Sequence, residues 1–256
     1  MTKNNKQKRK GLLFRVIKAL IKMCYRKRKV IGIKNIPKKP CIIVGNHSQL
    51  HGPIYAECYY PYKKKTWCIG NMMHLKDFPP YAYSDFSSFK PKWTHPFYKV
   101  MSYILAPLGT YLFKNADTIG VYKDARGIST FKKSVQALKD NNHIIIFPEH
   151  YQEYNNIINE FQDKFVDLAK LYYKDTNVEI NFVPMYIAPN LKTVCYGKPI
   201  KYNASLPIEE QRKIICDYLK EQITELATNL PIHTVVPYAN ISKKKYPKSK
   251  QEQSKQ

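Results

Sequence analysis

Carboxylates are scarce in this 256-residue chain: 19 Asp and Glu stand against 43 Lys and Arg, a formal charge of +24 at pH 7. That deficit points to an anionic partner, whether nucleic acid, an acidic membrane surface or a phosphate-bearing substrate. Paired cysteines are lacking too. Cys24, Cys41, Cys58, Cys68, Cys195 and Cys216 form no CxxC pair and keep no regular spacing. This argues against a disulfide framework and for reduced thiols in a cytosolic compartment. Long apolar runs are also missing, since no stretch reaches the roughly 18 uncharged apolar residues of a spanning helix. The basic N-terminus does not read as a secretory signal, because Arg15, Lys18 and Lys22 interrupt its apolar run and no cleavage site follows. Internal repeats and nucleic-acid-binding motifs are absent, and basic residues gather at both ends. Nucleic acid is therefore not expected among the partners.

What the chain does have is apolar material, 44% of its residues, enough for a globular core. Four segments are expected: a disordered basic start over 1–10, an amphipathic helix over 11–29, a main domain over 30–240, and a disordered basic tail over 241–256. In the 11–29 helix, Leu13, Val16, Ile17, Leu20 and Cys24 share one face, and Arg15, Lys18, Lys22 and Arg26 another. Such a helix suits the surface of an anionic bilayer, with lysines at the headgroups and leucines below them. The plainer alternative is a surface helix packed on the core. The first reading implies peripheral attachment to the cytoplasmic face of a membrane.

From Ile31 onward, strands alternate with helices. IGIKNI (31–36), CIIVG (41–45), TWCIG (66–70), HIIIF (143–147), NFVPMYIA (181–188) and VCYGKPIKY (194–202) read as strands. Residues 128–139, 157–173 and 207–229 have helical spacing. This alternation predicts an α/β fold, and the apolar HIIIF run predicts a sheet covered on both faces. Residues 76–112 are rich in Pro, Tyr, Phe and Trp. They read either as core helix plus loop, or as an aromatic wall for an acyl chain or a membrane-facing lip.

Two strand ends carry polar clusters. CIIVG runs into Asn46-His47-Ser48-Gln49-Leu50-His51, and HIIIF runs into Pro148-Glu149-His150. The carboxyl ends of buried strands are where α/β folds collect ligands and catalysis, so the two clusters suggest one shared site. Between them, IGVYKDARG (119–127) offers Lys123 and Arg126 to hold a phosphate. His47, His51, Glu149 and His150 invite a metal reading. The spacing lacks a clean zinc signature, however, and Gly52-Pro53 sits poorly in a helix, so no metal is expected. His74, His95, His143 and His233 lack acidic or cysteine partners at useful spacing and read as structural or solvated.

In their order, these motifs resemble the glycerolipid and lysophospholipid acyltransferase family, of the 1-acylglycerol-3-phosphate acyltransferase type. The family's NHxxxxD block is matched in part by Asn46-His47, and its glycine followed six positions later by arginine by Gly120 and Arg126. Its FPEG block is matched by Phe147-Pro148-Glu149, and its Val-Pro within an apolar strand by Val183-Pro184. Tyr196–Ile200 (YGKPI) is similar to a later family strand, and the resemblance spans about residues 31–230. It implies an acyltransferase-type sheet covered by helices. It also implies acyl transfer from acyl-CoA or acyl carrier protein to a hydroxyl of a lysophospholipid acceptor, with no cofactor. The histidine would take the hydroxyl proton and a carboxylate behind it would fix its tautomer. The roles fall to His47 as base and to Asn46, Lys123 or Arg126, Phe147, Pro148, Glu149 and His150 around the substrate. Tyr151 and Tyr154 stand beside the third block as possible headgroup contacts.

The chain departs from the pattern at the carboxylate. Five residues after His47 stands Gly52, and allowing for one lost residue His51 takes the place. Three accounts are open. His51 substitutes; a carboxylate such as Glu57 or Glu153 reaches in; or the protein is a catalytically silent lipid-binding protein on the same fold. His150 replaces the glycine after FPE. If the second block is read in the register Ile-Gly-Val-Tyr-Lys, Lys123 rather than Arg126 is its cation.

Overall fold

The computed structural model describes residues 11–87, 90–150 and 157–250, without the side chain of Phe86. The expected disordered start and the last six residues lie outside that range, as do Tyr151, Glu153 and Tyr154.

Two apolar strands form the centre of the sheet: β2 (Ile42–Gly45) and β5 (His143–Ile146), every residue of both buried. Their alternate side chains go to opposite faces. Ile42, Val44, Ile144 and Ile146 join one core cluster, while Ile43 and Ile145 join the other. β3 (Lys64–Ile69) and β4 (Thr118–Val121) extend the sheet on one side and β6 (Asn181–Ala188) on the other, giving five parallel strands in the order β6-β2-β5-β3-β4. β7 (Thr193–Tyr196) and the two-residue β8 (Ile200–Lys201) pair antiparallel with β6, and β1 (Lys29–Ile31) closes the far edge parallel to β7.

Both faces are covered, as a parallel sheet requires. α7 (Ile208–Thr228) lies on β6, burying Ile208, Ile215, Leu219, Ile223 and Ala227 at helical spacing. α5 (Gly127–Lys139) and α6 (Asp167–Thr176) share that face, and α2 (His51–Cys58) supplies Tyr55 and Ala56 to the other. The fold is the expected α/β one, a mostly parallel sheet flanked by helices.

Several expectations are corrected. IGIKNI is not one strand: β1 ends at Ile31, Gly32 adopts φ +72°, and a short 3-10 turn follows. A Cβ at Gly32 would lie 2.2 Å from the Tyr196 carbonyl oxygen, so only glycine makes this turn. The helix expected over 157–173 begins only with a 3-10 turn at Asp163 and becomes α6 at Asp167. Its first apolar residues are buried from irregular chain instead, Phe161 bridging to Glu149. Gly52-Pro53 does sit in a helix, in the first turn of α2, where a missing N–H costs nothing. The expected tail is ordered through residue 250: Val235 N–H donates to the Pro247 carbonyl and Ser249 is buried.

α1 (Leu12–Cys24) and α4 (His95–Asn115) differ from α7. α1 buries only Phe14, and Lys18 turns inward to Glu57 at 2.7 Å, while Leu12, Leu13, Val16, Leu20 and Met23 are exposed. α4 buries a stripe of small residues (Ser102, Ala106, Thr110) toward α3 (Phe78–Ser87) and exposes Phe97, Val100, Tyr103, Ile104, Leu105 and Leu108. Trp93, just ahead of it, is 84% exposed. The two helices are neighbours, since a Cβ at Gly11 would meet the Tyr111 hydroxyl. Among the described residues, no helix is long and apolar enough to cross a membrane.

Candidate active site

The parallel strands bring His47 (after β2), Phe147-Pro148-Glu149 (after β5) and the Lys123–Arg126 turn (after β4) to one edge of the sheet. β2 and β5 are direct neighbours, so the first two groups meet. The His47 backbone N–H donates to Glu149 Oε1 at 2.7 Å, and the Asn159 N–H donates to Oε2 at 3.3 Å. Glu149 is only 3% exposed. Burial pushes its carboxyl up to about 7, against the opposing pull of those two N–H groups.

The His47 ring stands steeply to two aromatic rings: Phe147 at 5.4 Å and 71°, and Tyr238 at 5.0 Å and 68°. Its Nδ1 is buried and has no hydrogen-bond partner among the described residues. Desolvation brings the imidazole down to about 4, with the Gln49 backbone acting weakly the other way. Ser48 and Gln49, the next two residues, both have positive φ (46° and 53°). Left-handed backbone costs non-glycine residues roughly 1–2 kcal/mol each, so this turn persists only because side chains tie it down.

Asn46 is one such tie. Its Nδ2 donates to the Ile187 carbonyl (3.0 Å) and to Ser48 Oγ (2.7 Å), and its Oδ1 accepts from the Ile187 N–H (2.7 Å). The buried amide thus joins the end of β2 to β6, and these bonds engage both ends of the group assigned above to substrate. Pro148 is buried, its carbonyl accepting from Gln162 N–H at 2.8 Å. The backbone N–H of His150 donates to the Glu160 carbonyl, and its side chain is exposed.

Neither His51 nor Glu57, put forward for the missing carboxylate, joins His47 in this arrangement. The His51 ring contacts Tyr25, its Nδ1 3.2 Å from the Tyr25 hydroxyl, with the Arg28 guanidinium 3.8 Å over the Tyr25 ring. Burial and then Arg28 lower its pKa. Glu57 takes Lys18 at 2.7 Å and Lys64 at 2.6 Å. Glu153 lies outside the described residues. Gly52 itself has no room: a Cβ would stand 2.7 Å from the His47 carbonyl oxygen and 2.8 Å from Phe147 Cε1. The Phe147 ring crowds the space a longer side chain there would enter.

The cation-bearing turn is three strand steps from His47, about 14 Å along the edge at the usual spacing. Arg126 closes a fork on Asp124, Nε and Nη2 at 3.0 and 2.7 Å from its oxygens, and lies 4.3 Å over the Tyr122 ring. Lys123, two residues past β4, is exposed and has no ion-pair partner among the described residues.

The remaining histidines are tied into the fold. His143 meets Cys41 Sγ (2.9 Å) and the Tyr60 hydroxyl (3.1 Å), His233 the Tyr186 hydroxyl (2.8 Å), His74 the Tyr122 hydroxyl (3.0 Å) and His95 the Lys90 carbonyl (2.9 Å). No group of three or more His, Cys, Asp or Glu arranged to hold a metal occurs among the described residues. Sequence reasoning missed Tyr238 and the segment around it. The signal available was VVPYAN (235–240), an apolar run after the last long helix.

No protein-family model matches the chain, and a search of curated proteins finds no match. The likeness found is one of fold, to an α/β acyltransferase structure. It is the crystal structure of the 1-acyl-sn-glycerophosphate (LPA) acyltransferase PlsC from Thermotoga maritima, with a TM-score of 0.52 and 15% identity, over 86% of this chain and 81% of that one.

Proposed function

We propose that the protein transfers an acyl group from a thioester, acyl-CoA or acyl carrier protein, to a hydroxyl of a lysophospholipid at a membrane surface, with His47 as general base. The observation that carries this reading is the meeting of His47 with Phe147 and Glu149 at two adjacent strand ends. The fold likeness to PlsC agrees with it. In the reaction, the imidazole takes the hydroxyl proton as the alcohol oxygen attacks the thioester carbonyl. The tetrahedral intermediate collapses, the C–S bond breaks, and the imidazolium returns the proton to the departing thiolate. Glu149 holds the His47 backbone through its N–H. Lys123 is the better phosphate contact, because Arg126 is occupied by its own Asp124. The exposed apolar faces of α1 and α4, set among lysines, rest on an anionic bilayer at the cytoplasmic face.

His47→Ala is expected to lower transfer of labelled acyl groups to lysophosphatidic acid by roughly 10²–10⁴-fold, and unchanged turnover would refute the mechanism. In vesicle flotation, Leu13→Glu combined with Val100→Glu is expected to release the protein, while wild-type binding weakens as salt rises. A second reading, lipid binding without turnover, draws on the His47 Nδ1, which has no partner among the described residues. It predicts wild-type flotation with no acyl transfer.

A further inference from the structure

After α7, residues 231–250 return across the carboxyl ends of β2 and β6 as a doubled strap. His233 anchors it, Nε2 to the Tyr186 hydroxyl and Nδ1 to the Pro231 carbonyl, both at 2.8 Å. The two limbs pair: Val235 N–H donates to the Pro247 carbonyl and Ser249 N–H to the His233 carbonyl, each at 2.9 Å, with Thr234 bridged to Lys248. From there the strap grips the left-handed turn beside His47. The Ser48 hydroxyl donates to the Val236 carbonyl (3.3 Å), and the Gln49 amide donates to the Ala239 carbonyl (3.4 Å) and the Tyr246 hydroxyl (2.8 Å).

We infer that this strap, through the ring of Tyr238, orients the His47 imidazole in place of the carboxylate missing at position 52, which makes Tyr238 a positioning residue. The inference rests on the reading of His47 as base. An orienting carboxylate works by gripping Nδ1, so that the other nitrogen faces the substrate in one tautomer. Here Nδ1 has no partner among the described residues, and a side chain at position 52 would collide with Phe147. Orientation falls to two rings set steeply against the imidazole, those of Phe147 and Tyr238. Phe147 follows directly on β5, whereas Tyr238 belongs to the strap. The carboxylates whose charge reaches Tyr238 are Asp85 and Glu149, and Asp85 is tied to the strap by Asn240 Nδ2 on its backbone carbonyl at 3.2 Å.

The test uses the full chain with Tyr238→Ala, Tyr238→Phe and Gln49→Ala, and two readouts. In the first, nitrogen resonances of the His47 ring are followed against pH. Tyr238→Ala lets water onto the ring, so its midpoint is expected to rise from about 4 toward the ordinary histidine range and the tautomers to mix. Tyr238→Phe, which keeps the ring edge, is expected to titrate like wild type. Gln49→Ala, which loosens the turn, is expected to shift in the same direction by less, and carries the comparison if Tyr238→Ala does not fold. A wild-type titration in Tyr238→Ala, or in Gln49→Ala where Tyr238→Ala does not fold, overturns the proposal. In the second readout, acyl transfer from acyl-CoA to lysophosphatidic acid, Tyr238→Ala is expected to lower kcat roughly 10²-fold with KM within about threefold, and Tyr238→Phe to recover most of the loss. Equal loss in both variants, or a change in KM alone, also overturns it. Absence of transfer by the wild type would remove the enzymatic reading, and the His47 titration would still decide whether the strap holds the ring.

Discussion

The two ends of the sheet's working edge differ in nearly every physical respect. At β2 and β5 the groups are dry, interlocked and shifted by burial: Asn46 engaged at both ends by the backbone, Glu149 sealed on two N–H groups, His47 walled by rings. At β4 the turn is wet, with Lys123, Asp124 and Arg126 all exposed. Bond-making chemistry needs fixed geometry and low dielectric, whereas capture of a charged headgroup needs reach and long-range attraction. The division suits a site in which one end reacts and the other recruits.

The comparison breaks most severely if the dry end is overfilled. Gly52→Asp places the absent carboxylate at the position where the family pattern has it, yet its Cβ would collide with the His47 carbonyl and the Phe147 ring. We expect a loss of roughly 3 kcal/mol or more in urea denaturation and no gain in acyl transfer. Higher activity at unchanged stability would show that the pocket is looser than its contacts indicate.

Titration sharpens the contrast next. The Glu149 carboxyl ionises near 4.5 in the unfolded chain and near 7 in the fold. Between these values the native state holds a proton that the unfolded state has lost, so stability falls as pH rises, by about 3 kcal/mol over the window. His47 and His143 act oppositely. Both fall from 6.5 to about 4 on folding, so their part of the stability rises with pH from about 4 to about 6.5 and is complete above it. In the native chain the two histidines outweigh the single carboxyl, so a net rise remains but is shallower. Glu149→Gln removes the falling trend, and urea midpoints are then expected to climb more steeply than in the wild type between about pH 4.5 and 6.5. A profile that overlays the wild type would mean that Glu149 is not the sealed acid described.

The smallest effects belong to the wet end. Lys123→Ala is expected to raise the KM for lysophosphatidic acid about tenfold and Arg126→Ala about twofold, with kcat preserved in both. The reverse order would return the second block to its Gly120–Arg126 register.

Much of the fold was legible because central strands and long helices leave strong periodic signals. CIIVG, HIIIF, NFVPMYIA and residues 207–229 lie where their apolar patterns put them. Residues 157–162 misled for a physical reason: a stripe of apolar residues shows that a segment is buried, but Ile158 and Phe161 reach the core from irregular chain. In the site, strand ends bring together His47, Phe147 and Glu149, neighbours that the polar clusters at two apolar strand ends suggested. The engagement of His51 with Tyr25 and of Glu57 with Lys18 was not readable, because it depends on where α1 docks, and no local pattern encodes docking. Tyr238 was hidden for the same reason, almost two hundred residues from the histidine it touches.

Pro184 and Gly197 carry one last consequence. The Gly197 N–H donates to the Pro184 carbonyl, and a Cβ at 197 would stand 2.7 Å from the Pro184 ring carbon Cγ. The Val-Pro of the fourth block and the later Tyr-Gly are therefore two halves of a single fitting. A side chain can enter at 197 only after the pyrrolidine has gone from 184, so in any redesign of this strand pair the two positions must be exchanged together.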